Sequence, residues 1–192
     1  LEILSEFFFV NILIILFVAC SQQPIPTPTP EPNVEEIVYE QVVDNGKIYS
    51  SKDFFDAGFN EYKEYNVSKL TGATEAWYGY WGPDEDNVKY YELRFYPDHS
   101  IAVSEGTVFA EDDTGEESKL RRQETMWRVG LADRKLDANC TQGGTAINRN
   151  CGERLWKYGE FVIYNNVIIL CEGENSEEAV KLCEDLKGIL NP

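Results

Sequence analysis

Ala76-Trp77-Tyr78-Gly79-Tyr80-Trp81, followed after a short polar gap by Val88-Lys89-Tyr90-Tyr91-Glu92-Leu93-Arg94-Phe95-Tyr96, decides how the folded part is read. Both segments alternate with a period of two, the repeat of a strand whose faces differ. In the first, Trp77, Gly79 and Trp81 share one face, and Tyr78 and Tyr80 the other. In the second, Tyr91, Leu93 and Phe95 share one face, and Glu92 and Arg94 the other. Trp77, Tyr78, Tyr80, Trp81, Tyr90 and Tyr91 crowd this pair of strands. One set must be core, because large rings lose most by staying in water. The other is exposed, covered by a helix, or lines a pocket, so the six are the candidate ligand-binding aromatics.

The chain around this pair also reads as short strands and turns. Pro97-Asp98-His99-Ser100 has turn composition. Ile101–Ser104, Thr107–Phe109 and the alternating Thr125, Trp127 and Val129 are further predicted strands. Leu155–Tyr158, Phe161–Tyr164 and Val167–Cys171, joined by Gly159-Glu160 and Asn165-Asn166, predict a closing meander. Upstream, Glu35–Val43 and Lys47–Tyr49 flank Asn45-Gly46 as a hairpin. Ser51 to Tyr65 predicts a helix with Phe55, Phe59 and Tyr62 on one face. A second helix ends the chain, with Asn175 and Glu178 as a capping pair and Val180, Cys183, Leu186 and Leu190 along one side. The expected fold is α+β and β-dominated: an antiparallel meander or small barrel, with one helix before it and one after it.

Three segments carry a resemblance: Gly79-Tyr80-Trp81, Leu93-Arg94-Phe95-Tyr96-Pro97-Asp98 and Trp127-Arg128-Val129-Gly130. Over about residues 70–171 the layout resembles the lipocalin-like domains of bacterial lipoproteins. The resemblance implies a small up-and-down barrel with an apolar interior, and it carries over no ligand. It departs from the family in Val167–Cys171, which lacks the basic side chain that stacks on the Trp.

The N-terminal region gives an address. Phe7 to Ala19 is apolar apart from Asn11, too short for a membrane span of about 20 residues. It suits the apolar core of a secretory signal. Phe17-Val18-Ala19-Cys20 resembles the lipobox of bacterial lipoproteins, with Phe17 where Leu is usual. That resemblance implies a signal peptide over 1–19, cleavage before Cys20, lipidation of Cys20 and anchoring to the cell envelope. Ser21 implies, by analogy with enteric bacteria, the outer membrane. Lys or Arg normally opens such a signal, yet none precedes Lys47, so a start upstream of Leu1 is expected. Five prolines between Ser21 and Asn33 make residues 20–33 a stiff tether with about 40 Å of reach at ~3.1 Å per residue. Residues 34–192 are then one disulfide-bonded, β-rich domain.

Four cysteines remain: Cys140, Cys151, Cys171 and Cys183. An even number in an exported domain predicts two disulfides. Cys140–Cys151 and Cys171–Cys183 are the preferred pairs, and the two crossed connectivities stay open. A zinc site is not expected, because no Cys-x-x-Cys occurs and His99 is the only histidine.

The net charge is −17, and losing Glu2 and Glu6 with the first nineteen residues brings it to −15. Such a field repels phosphate backbones and argues against nucleic acid. The acidic run Glu111-Asp112-Asp113-Thr114-Gly115-Glu116-Glu117 reads as a solvated hairpin tip. His99 reads as an exposed turn residue with no oriented nucleophile beside it. Neither a phosphate loop nor a dinucleotide fingerprint is present. The expectation is a non-enzymatic envelope lipoprotein without cofactor, binding a small hydrophobic ligand or a partner. The alternative is an acidic inhibitor or adaptor of a cationic envelope-active protein such as a lysozyme.

Overall fold

The computed structural model describes residues 39–136 and 155–190. Cys20, the apolar run before it, the proline tether, Cys140 and Cys151 lie outside the described residues. The order is β1 (Val42–Val43), α1 (Ser51–Asp56), β2 (Asn60–Glu64), β3 (Glu75–Trp81), β4 (Lys89–Phe95), α2 (His99–Ile101), a π-helical turn (Ala102–Gly106), α3 (Thr107–Asp113), β5 (Tyr158–Tyr164), β6 (Val167–Glu172) and α4 (Ser176–Gly188). The strands form one six-stranded sheet in the order β1-β5-β6-β4-β3-β2. All neighbours are antiparallel except β1 and β5, which run parallel.

The sheet is built outward from β6. Val167-Ile168-Ile169-Leu170-Cys171 is fully buried, as a strand covered on both faces requires. Val167, Ile169 and Cys171 pack with Phe54 of α1 and with Ala179, Cys183 and Leu186 of α4. Ile168 and Leu170 point the other way, to Ala102 and Ala110 of the 99–113 helical segment. Gly106 permits that second layer, since a Cβ there would stand 2.5 Å from the Ile168 Cδ1 and 2.6 Å from the Tyr96 ring. Helix α4 starts as expected: the Glu178 N–H donates to Asn175 Oδ1 at 2.9 Å, with Glu177 and Glu178 in the first turn. Cys171 and Cys183 form a disulfide that ties β6 to α4 across 12 residues. A loop of that size restricts the unfolded chain by about 3 kcal/mol.

Several expectations are corrected. The sheet is open, with β1 and β2 as its edges, and is not closed into a barrel. The predicted hairpin around Asn45-Gly46 is absent, because β1 pairs with β5, and the Asn45 N–H donates to Asn165 Oδ1 at 2.8 Å. The helix predicted to Tyr65 stops at Asp56. Gly58 follows at φ +102°, a conformation few other residues tolerate, and Asn60–Glu64 becomes edge strand β2. Ile101–Ser104 and Thr107–Phe109 are helical. Asp98 Oδ1 accepts the Ile101 N–H at 2.9 Å and caps that segment, while Ala102 and Ala110 provide its buried face. Residues 125–129 form no strand. The turn predicted at Gly159-Glu160 is a bulge within β5. His99 is half-buried at the start of α2, where Nδ1–H donates to the Asn165 carbonyl at 2.7 Å. Among the described residues, no helix is long and apolar enough to cross a membrane.

Candidate functional site

Alternation along β3 and β4 divides the six predicted aromatics between the sheet faces. Trp77, Trp81 and Tyr91 turn toward the core shared with α1 and α4. Tyr78, Tyr80 and Tyr90 turn the other way and come together. Tyr78 and Tyr90 stack at 5.4 Å with an interplanar angle of 18°, and Tyr80 meets Tyr90 edgewise at 6.1 Å. Tyr62 of β2 joins them from the sheet edge, perpendicular to Tyr78 at 5.8 Å.

Local structure explains why Tyr62 reaches that group. The pairing of β2 with β3 slips between Glu61 and Lys63, a bulge that leaves Tyr62 as the extra residue and re-aims its side chain. Gly79, opposite Glu61, lets Phe59 cross the strand, since a Cβ there would come within 2.6 Å of the Phe59 ring. Tyr62 remains 72% exposed and Tyr90 37%, while Tyr78 forms a buried floor.

Lys157 lies over this floor, with Nζ 5.0 Å from the Tyr78 ring centre and 4.9 Å from that of Tyr90. It also donates to the Tyr78 hydroxyl at 2.9 Å. The four tyrosines, Lys157, Ala132 and Asp133 enclose an open pocket of about 400 Å³. A cleft beside Trp127 and another beside Trp156 each gather only that one aromatic. The tyrosine pocket is therefore the candidate site.

A buried charge cluster positions its far wall. Glu92, Arg94, Asp113 and Arg134 are all withdrawn from solvent. Arg94 Nε donates to Glu92 Oε1 at 2.8 Å, and its Nη2 donates to Asp113 Oδ2 at 2.5 Å. Arg134 Nε donates to Glu92 Oε2 at 2.9 Å, and its Nη1 to Asp113 Oδ1 at 3.2 Å. Both guanidiniums lie over the Trp127 ring, at 5.1 Å and 4.4 Å. Arg134 also donates to the carbonyls of Trp127 at 2.9 Å and Val129 at 2.7 Å. It thereby supplies the main-chain partners that a ladder would have given this segment.

Two links run from the cluster to the pocket. The Arg134 carbonyl accepts the Lys157 N–H at 2.9 Å, which holds the Lys157 main chain beside the tyrosines. The neighbouring residue, Asp133, accepts from the Tyr65 hydroxyl at 2.7 Å and from Lys63 at 2.9 Å. Burial raises the Asp133 carboxyl, but the Tyr65 and Lys63 hydrogen bonds outweigh it and hold it below the usual range. In the cluster, burial opposes ionisation of Glu92, and Arg134 and then Arg94 overcome it, so Glu92 stays below its ordinary value. Burial prevails at Asp113 and pushes it up despite the same two arginines.

The acidic run 111–117 is thus no hairpin tip, and only Glu111, Glu116 and Glu117 of it are exposed. Asp113 is inside, and Asp112 Oδ2 accepts the Met126 N–H at 2.8 Å. Of the site residues, Tyr62, Asp133, Lys157 and Arg134 escape the sequence reading. Only the Glu92–Arg94 spacing on one strand face hinted at the cluster. Among the described residues, no group of three or more His, Cys, Asp or Glu is placed to hold a metal ion.

Arg134→Met keeps the length of the side chain but leaves two buried carboxylates short of donors. It is expected to cost about 3–5 kcal/mol in urea unfolding, against at most about 0.5 kcal/mol for Arg121→Met at the exposed Arg121–Glu124 pair. Equal effects would show that the cluster is not integral to the fold. The depressed Asp133 carboxyl contributes stability that is complete above its unfolded value of about 3.9 and is lost as pH falls through the folded value. Asp133→Asn should therefore cost up to about 1 kcal/mol at pH 7, with the difference fading only below about pH 4. Urea midpoints measured across pH test this, and a penalty independent of pH would contradict it.

No curated protein and no solved structure matches this chain. A family model does match residues 50–192, which takes in every element from α1 to α4 and therefore both the cluster and the pocket. The chain belongs to a family of unknown function, DUF6810.

Proposed function

We propose that this is a non-enzymatic binding protein, exported and held at the cell envelope by lipid on Cys20, which takes a small ligand in the tyrosine pocket. The observation that carries the reading is the gathering of Tyr62, Tyr78, Tyr80 and Tyr90 on one open face around Lys157. Exposed rings are costly to keep in water, and Tyr offers a ligand both a broad apolar face and a polar tip. A ligand seated there would cover Tyr62 and Tyr90. Because the sheet is open, the proposed site is a sheet face and not a barrel interior.

The address rests on the short apolar run, the lipobox-like Phe17-Val18-Ala19-Cys20 and the proline tether, which together suit an acylated protein on a stalk. The Cys171–Cys183 disulfide is in keeping with an oxidising compartment. A second reading, an acidic inhibitor or adaptor of a cationic protein such as a lysozyme, is favoured by the charge of −17.

Cys20→Ser, expressed with its complete signal, should leave the membrane fraction and lose the mass of the acyl chains. A variant that stays membrane-bound at unchanged mass would refute the anchor. For the pocket, a thermal-shift screen of small ring-bearing compounds should yield ligands whose affinity falls about tenfold or more in Tyr62→Ala and Tyr90→Ala. Ligands indifferent to both changes would place binding elsewhere. Hen lysozyme belongs in the same screen. Binding that vanishes with added salt and ignores the tyrosines would favour the second reading.

A further inference from the structure

Resting on the proposed binding role of this pocket, we infer that its ligand is a neutral saccharide. Four other classes of ligand match the lining less well.

A cation is already there. The Lys157 ammonium covers the Tyr78 and Tyr90 rings at 5.0 and 4.9 Å and is bound to the Tyr78 hydroxyl. A cationic ligand would have to displace it from the electron-rich ring faces it would itself need. A polyanion meets the field of a chain carrying −17, with Asp133 in the lining. A purely aliphatic ligand lacks a matching wall. The pocket has no Leu, Ile or Val, each of its rings ends in a hydroxyl, and its two remaining functional groups are an ammonium and a carboxylate. Burying those polar groups under an alkyl chain would cost hydrogen bonds with nothing in return.

A flat heteroaromatic ring can stack on one exposed ring face, but it gains most from a slot between two parallel faces. The parallel pair, Tyr78 and Tyr90, is already in mutual contact at 5.4 Å. The other two rings stand at steep angles, Tyr62 at 89° to Tyr78 and Tyr80 at 65° to Tyr90. The result is a stepped wall and not a slot.

A pyranose fits a stepped wall of this chemistry. Its axial C–H bonds give one apolar face for the negative face of a Tyr ring. Its equatorial hydroxyls lie at the edge, within the province of the Tyr hydroxyls, the Asp133 carboxylate and the Lys157 ammonium. A pocket of about 400 Å³, open to solvent beside the exposed Tyr62, has room for one or two sugar units with the chain continuing outward.

The test uses calorimetry and amide chemical shifts on the folded protein. The probes are cellotetraose, maltotetraose and tetra-N-acetylchitotetraose, with adenosine and an anilinonaphthalene dye as the planar and apolar competitors. At least one tetrasaccharide is expected to bind with Kd below about 10 mM, to shift the amides of Tyr62, Tyr90 and Lys157, and to weaken at least tenfold in Tyr90→Ala. Tyr90→Phe, which keeps the ring, should retain most of the affinity. If adenosine or the dye binds in a tyrosine-dependent way and no tetrasaccharide does, the saccharide inference falls and the pocket stands. Saccharide binding that is unchanged in Tyr90→Ala overturns the inference as well. If no probe perturbs the pocket amides, the inference and the reading it rests on fail together.

Discussion

Two carboxylates and two guanidiniums stripped of water, stacked on one indole, are the constraint on which the rest of this fold depends. Each charge alone would be intolerable in the interior. As a set they are neutral, and Glu92 and Asp113 each receive hydrogen bonds from both Arg94 and Arg134. The cost of desolvating four ions is offset only while all four are present, so the cluster contributes less to net stability than to uniqueness. It joins a strand residue pair, the C-terminal residue of α3 and a segment with no regular structure. An alternative packing of residues 114–134 would leave Glu92 and Arg94 buried without Arg134.

That requirement fixes the pocket at a distance. Residues 125–134 have no sheet partner, and Arg134 replaces one by binding the Trp127 and Val129 carbonyls. Gly130 turns the chain at φ +76°, where a Cβ would strike the Tyr65 ring at 2.7 Å. Tyr65 in turn holds Asp133, and the Arg134 main chain holds Lys157. The two charged groups of the tyrosine pocket are therefore positioned by residues that do not line it. Sites built this way are precise because the supporting shell is rigid, even when the lining comes from a loop.

How much of this was legible depends on whether local pattern and tertiary environment agree. In Ala76–Trp81 and Val88–Tyr96 they agree, and period two sorts the rings onto the correct faces. They agree again at Asn175, where the cap chemistry is local, and at the Cys171–Cys183 pairing. They disagree in 101–109, where Ile101, Val103, Thr107 and Val108 favour strand by propensity. Asp98 capping and the small Ala102, Gly106 and Ala110 win, because only a small-faced helix fits against Ile168 and Leu170. The cluster was not legible. Its members lie as far apart as Glu92 and Arg134, and Asp113 sits among six polar residues and a glycine that resemble any solvated loop. A sequence shows a charge but not whether another segment will cover it.

The same strands also explain why the aromatic surplus does not collapse into one core. On β3 the residues facing α1 and α4 are Trp77, Gly79 and Trp81, and the large indoles complete a hydrophobic layer that Phe59 fills above Gly79. On the opposite face the cluster of Glu92 and Arg94 on β4 occupies the interior beside Tyr78 and blocks a purely apolar second core from spreading outward. Tyr80, Tyr90 and Tyr62 lie beyond that boundary and stay at the edge, Tyr80 against Tyr90, Tyr90 against Lys157 and Tyr62 against Tyr78. A buried polar group thus decides which rings become core and which remain available, and the available ones are all of the type that carries a hydroxyl.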